Sequence, residues 1–156
     1  AIIIELCKFM EKENDIEKIK EEFYRLKRNV HLYAIINDLK YLKNSGRLSS
    51  TSAVVGSLLN VKPIITLQGG KVVNIAKCVG TAKAENFLLN KIENVDSSRY
   101  FYIAHTDYIE SAEKLRDKVR AKIDPNQEIV IGEIGCVVGC HVGAKCYALG
   151  FFSNDN

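Results

Sequence analysis

Apolar residues recur at steps of three and four from Ile16 through Ile19, Phe23, Leu26 and Val30, which predicts an amphipathic helix over residues 16–30 with Asn14 and Asp15 placed to cap it. The run Leu-Tyr-Ala-Ile-Ile at 32–36 predicts a strand. Asn37 and Asp38 then open a second helix that should stop at Ser45-Gly46. Ala53, Val54, Leu58 and Leu59 predict a short buried helix, in which Gly56 marks close packing. Pro63 opens the first of two β-rich runs, at 64–67 and 72–75, that flank Gly69-Gly70. They read as a hairpin because both glycines can take positive φ without steric cost. Helical spacing returns at Ala84, Leu88, Ile92 and Val95, and again at Ala112, Leu115, Val119 and Ile123 behind the capping signal Asp107-x-x-Glu110. Further strands are predicted at 100–104, 128–134 and 146–152. Strands alternating with helices, plus one hairpin, predict an α/β domain with a mixed six-stranded sheet flanked by five or six helices.

Composition narrows the function classes. The chain has 156 residues, 47% of them hydrophobic, which suits one globular domain with a sizeable core. A net charge of +3 spread over this length gives no footprint for nucleic acid or acidic lipid. The aliphatic stretch at 2–4 ends at Glu5, far short of the roughly 20 residues a spanning helix needs, so no membrane insertion is expected. The chain opens at Ala1 inside an apolar run, as if a preceding element were missing, and a fragment of a larger protein is expected. The five cysteines, at 7, 78, 136, 140 and 146, are odd in number and scattered, which favours a reducing, cytoplasmic setting over a disulfide framework.

Three blocks carry the chemistry: Leu39-Lys40-Tyr41-Leu42-Lys43-Asn44-Ser45-Gly46-Arg47-Leu48-Ser49, then Gly56-Ser57-Leu58-Leu59-Asn60-Val61-Lys62-Pro63-Ile64-Ile65, and finally Ile134-Gly135-Cys136-Val137-Val138-Gly139-Cys140-His141-Val142-Gly143. In this order they resemble the DegV family of fatty-acid-binding proteins, whose pattern runs L-x-Y-L-x-x-G-G-R-I-S, G-S-L-L-x-I-K-P-I-L and I-G-x-V-I-G-x-H-x-G-P-G. The resemblance covers nearly the whole chain. It implies that residues 1–156 form the C-terminal domain of a two-domain protein whose N-terminal domain is absent here. It further implies a carrier without catalytic residues or cofactor: a long-chain fatty acid lies with its tail in an apolar slot and its carboxylate between the domains, ready for a partner such as a fatty-acid kinase. A slot for about 14 methylenes would gain roughly 0.8 kcal/mol for each one buried. Val54, Leu58, Ile64 and Ile103 are the expected lining.

A carboxylate calls for charge-assisted or backbone N–H donors. Arg47 with Ser49, Ser50 and Thr51 stands just before an inferred helix, the right chemistry for the acid end, although capping and loop bracing would select the same residues. His141 falls on the histidine of the family's third block, which contacts the acid. His31 and His105, at strand edges, read as structural. Rival chemistries are weaker. Cys136, Cys140, His141 and Cys146 have no common zinc spacing, and neighbours such as Cys140 and His141 point to different sides, against both a zinc site and a nucleophile–base pair. Gly69-Gly70-Lys71 lacks the remaining features of a phosphate loop. The chain also departs from the family: Val79 stands where the K-x-R-G segment has a cation, and Ala144-Lys145 replaces Pro-Gly. A fold-related kinase or transferase-like domain and a ligand-free interaction domain are the alternative readings.

Overall fold

A computed structural model describes residues 1–47 and 60–155. In chain order its elements are α1 (Ile2–Met10), α2 (Ile16–Asn29), β1 (Val30–Ile35), α3 (Lys40–Asn44), β2 (Val61–Gln68), β3 (Lys71–Val79), α4 (Thr81–Leu89), β4 (Phe101–His105), α5 (Ile109–Lys122), β5 (Ile129–Glu133), α6 (Cys136–Val142) and β6 (Tyr147–Phe152). The six strands form one mixed sheet in the order β3-β2-β1-β6-β4-β5, in which only β4 and β5 run parallel. This is the α/β architecture expected from the pattern of strands and helices.

Local chemistry explains most boundaries. Asp15 caps α2 by accepting from the Glu17 amide, and the chain passes directly from α2 into β1 at Val30. Gly69 and Gly70, at φ 55° and 76°, make the tight turn between β2 and β3. Three expectations need correction. The helix expected to reach Val95 ends at Leu89, because Asn90 caps it and Asn94 turns left-handed, freeing Val95 to bridge Ser153. Asp107 does not cap α5; it takes φ 47°, and Tyr108 occupies the cap position. Helices α1 and α6 lie in stretches read as a truncated apolar run and a glycine-flanked segment. The helix expected around 53–59 lies outside the described residues.

Alternation along the strands divides the interior into two cores. Ile35, Ile64, Phe101, Ile103, Tyr147, Leu149 and Phe151 face one side, where Ala84 and Leu88 of α4 and Ala112, Leu115 and Val119 of α5 cover them. Ala34, Ile36, Ile65, Cys146 and Ala148 face the other, beneath Leu39, Leu42 of α3 and Val142 of α6. Strand β6 is buried along its whole length and pairs with β1 on one side and β4 on the other.

Helices α1 and α2 attach through charge. The Arg99 guanidinium donates to Glu22 at 2.8 Å and Asp96 at 2.9 Å, and it pairs with Glu5 at 3.4 Å. Glu5 also accepts from the Tyr102 hydroxyl at 2.8 Å and the Tyr100 amide at 3.2 Å. Glu5 and Glu22 are buried, so removing their cation strands charge out of water. Arg99→Met should therefore lower the unfolding free energy by about 3–5 kcal/mol, read by urea denaturation. Burial raises the carboxyls of Glu22 and Asp96, but hydrogen bonds outweigh it, from Arg25 and Arg99 to Glu22 and from Ser98 and Arg99 to Asp96. Both end below their ordinary values. The stability they contribute is complete above about pH 4.5 and should be lost as the pH falls further, with less loss in Arg99→Met.

Candidate functional site

Because β1 runs antiparallel to β2 and β6, and β6 antiparallel to β4, strands β1, β3, β4 and β5 all end at one sheet edge, where β2 and β6 begin. That edge collects the family-like blocks. It carries Asn37 and α3 after β1, Lys62 and Pro63 at the start of β2, Val79 and Gly80 after β3, and α6 after β5. Lys62 donates to the Asn37 side chain at 2.7 Å, joining the ends of β1 and β2. Val79 is 61% exposed there, an apolar side chain in water where a cation would be unstrained.

Helices α3 and α6 pack against each other at this edge. The joint is the Tyr41 ring on Gly143: a Cβ at Gly143 would lie 2.5 Å from the ring, and Gly143 has φ 77°. Only glycine meets both demands. Thr106, just past β4, fastens the same loop, its hydroxyl donating to the Gly143 carbonyl at 2.7 Å and accepting from the Cys146 amide at 3.0 Å.

Arg47 follows the left-handed Gly46 that closes α3. Its amide donates to the Leu42 carbonyl at 3.0 Å, and its exposed guanidinium to the Ser45 carbonyl at 2.6 Å. It braces the helix end. Ser49, Ser50, Thr51, Val54 and Leu58 lie outside the described residues. His141 sits in the last turn of α6, not on an extended segment. Its Nδ1 is buried and has no hydrogen-bond partner among the described residues. Ile64 and Ile103 are sealed in the larger core at 0% and 1% exposure.

A cleft of about 300 Å³ opens at the ends of β4 and β5, lined by His105, Thr106, Asp107, Glu133, Ile134 and Gly139, with Gly143 at its rim. Neither Ile64 nor Ile103 borders it. At about 100° per residue, His141 lies on the opposite side of α6 from Gly139, so the histidine and the cleft are separate features. His105 is buried, and its Nδ1 accepts from the Tyr108 amide at 3.3 Å, which supports the structural reading. The sequence reading missed Thr106, whose partners Gly143 and Cys146 lie some forty residues away and leave no local signal. The zinc constellation is not assembled: Cys146 is buried, its thiol pushed up to about 12 by burial, while Cys136 and Cys140 face solvent.

The family model described as "Uncharacterised protein, DegV family" matches residues 1–154. The chain belongs to the DegV family. It is 37% identical over 127 residues to a DegV domain-containing protein of Clostridium perfringens, a match covering 79% of this chain and 43% of that protein. The chain spans about half the length of the curated relatives it matches. Among solved structures, it superposes on the Bacillus subtilis DegV, described as a fatty acid binding protein, with a TM-score of 0.74 at 30% identity. That match covers 96% of this chain and 53% of the other. A Thermus thermophilus DegV family protein described by its fatty acid binding matches with a TM-score of 0.84 at 25% identity, over 98% of this chain and 56% of that one. Within the DegV architecture the Tyr41–Gly143 contact is a sharp test. Gly143→Ala should cost about 1–3 kcal/mol in urea unfolding, and Tyr41→Ala in the same chain should recover part of that loss.

Proposed function

We propose that this chain is one domain of a cytoplasmic fatty-acid carrier that holds a long-chain acid without transforming it. The observation that carries the reading is the convergence of the DegV-like blocks on one sheet edge, joined by the Tyr41–Gly143 contact. The binding described for the B. subtilis and T. thermophilus relatives supports it. The acyl tail belongs on the face of the smaller core. Ala34, Ala148 and Cys146 there are smaller side chains than Phe101, Tyr147 and Phe151 on the other face, and Val72 and Ile134 are only partly covered. Ile65 then replaces Ile64 and Ile103 in the lining, while Val54 and Leu58 keep their place on sequence grounds alone. The acid end meets His141 and Arg47, together with donors from an N-terminal domain. A partner such as a fatty-acid kinase receives the acid.

A buried, unpaired ring nitrogen costs roughly 1–3 kcal/mol, which an acid oxygen reaching Nδ1 recovers. Two measurements test the reading. Mass spectrometry of lipid extracted from the natively purified full-length protein should find long-chain fatty acid; its absence, together with no binding of added palmitate, contradicts the proposal. His141→Ala should weaken palmitate by about 10–100-fold and methyl palmitate much less, since only the acid presents a charged acceptor. Equal losses for the two ligands would make His141 structural.

A further inference from the structure

Helix α1, which the fatty-acid reading does not use, is apolar nearly all round: seven of its nine residues are Ile, Leu, Cys, Phe or Met, and only Glu5 and Lys8 carry charge. A helix of that kind belongs in an interior. Its one buried residue is Glu5, which holds it to Arg99, the Tyr100 amide and the Tyr102 hydroxyl. At about 100° per residue, Ile3, Cys7 and Met10 fall within about 60° of one another on the side opposite Glu5, with Ile4 on their flank. All four are exposed, Ile3 at 65% and Met10 at 47%. A contiguous apolar stripe in water marks a contact surface.

The direction of the stripe is set by β4. Tyr102 alternates with Phe101 and Ile103, so the hydroxyl that meets Glu5 points away from the larger core, and α1 stands on the side of the sheet that carries α3 and α6. The stripe faces outward on that side. Its size selects the occupant. Four side chains, each smaller than the roughly 150–250 Å² that an aromatic residue buries, fall short of the roughly 800 Å² per partner that a stable complex of separate molecules takes. A domain tethered in the same chain sits at about millimolar effective concentration and needs less. The matches cover 43% of one curated relative and 54% of another, so a full-length member carries about as much chain again. We infer that this other half of the full-length protein seats on Ile3, Ile4, Cys7 and Met10 and closes over the α3–α6 side of the sheet. The inference rests on reading this chain as one domain of a larger protein and is independent of the ligand.

Met10 is the only methionine in residues 1–156, so photo-methionine places one cross-linker on the stripe within this chain. Full-length protein carrying it, mixed from isotopically light and heavy copies, is irradiated, digested and read by mass spectrometry. The seat predicts cross-links from the Met10 peptide to peptides outside residues 1–156, with both ends of the same isotope. Iodoacetamide should alkylate Cys7 at least about 100-fold more slowly in the native full-length protein than in urea, because the seated half denies the reagent access. Palmitate binding is read on the same sample. A protected, intramolecularly cross-linked seat without palmitate leaves this inference standing and counts against the fatty-acid reading alone. Cross-links that join light to heavy copies, cross-links confined to residues 1–156, no cross-link from Met10, or Cys7 alkylation at the rate of the unfolded chain would each overturn the seat, whatever palmitate does.

Discussion

The insertion of β6 between β1 and β4 is the constraint on which the rest of the structure depends. It is the last strand in the chain and lies inside the sheet, buried along its whole length, joining the antiparallel half to the parallel pair. Both cores are built on its alternating side chains, Tyr147, Leu149 and Phe151 on one face, Cys146 and Ala148 on the other. Until it docks, β1 and β4 each lack a neighbour on one side, and neither core can close.

The same strand organises the candidate site. Helix α6 is tied to β6 by a short loop, so seating β6 brings α6 against α3 and places Gly143 beneath Tyr41. Thr106 then locks that loop to the end of β4. Two sequence blocks almost a hundred residues apart become one surface through a tyrosine ring and the absence of a Cβ. The charged attachment of α1 and α2 through Arg99 contributes to stability but stands apart from this edge.

The legible parts of the fold were those governed by short-range periodicity: α2, α5, the Gly69-Gly70 hairpin and all six strands. Helix α6 escaped because its β-branched and glycine residues, Val137, Val138 and Gly139, have poor helix propensity and the helix is held by packing on α3. Residue types at the site were legible through the family-like blocks, but their neighbours were not. No pattern distinguished Ile64 from Ile65, although they face opposite cores, because a buried strand is apolar on both sides. Thr106 acts through contacts formed only in the folded chain.

The central claim is that the ligand occupies the α3–α6 side of the sheet. Hydrogen–deuterium exchange of the full-length protein with and without palmitate tests it most directly. The account predicts slowed exchange in residues 40–47 and 136–143 with little change in α4 and α5. Protection confined to α4 and α5, or bound palmitate with no protection at α3 and α6, would contradict it.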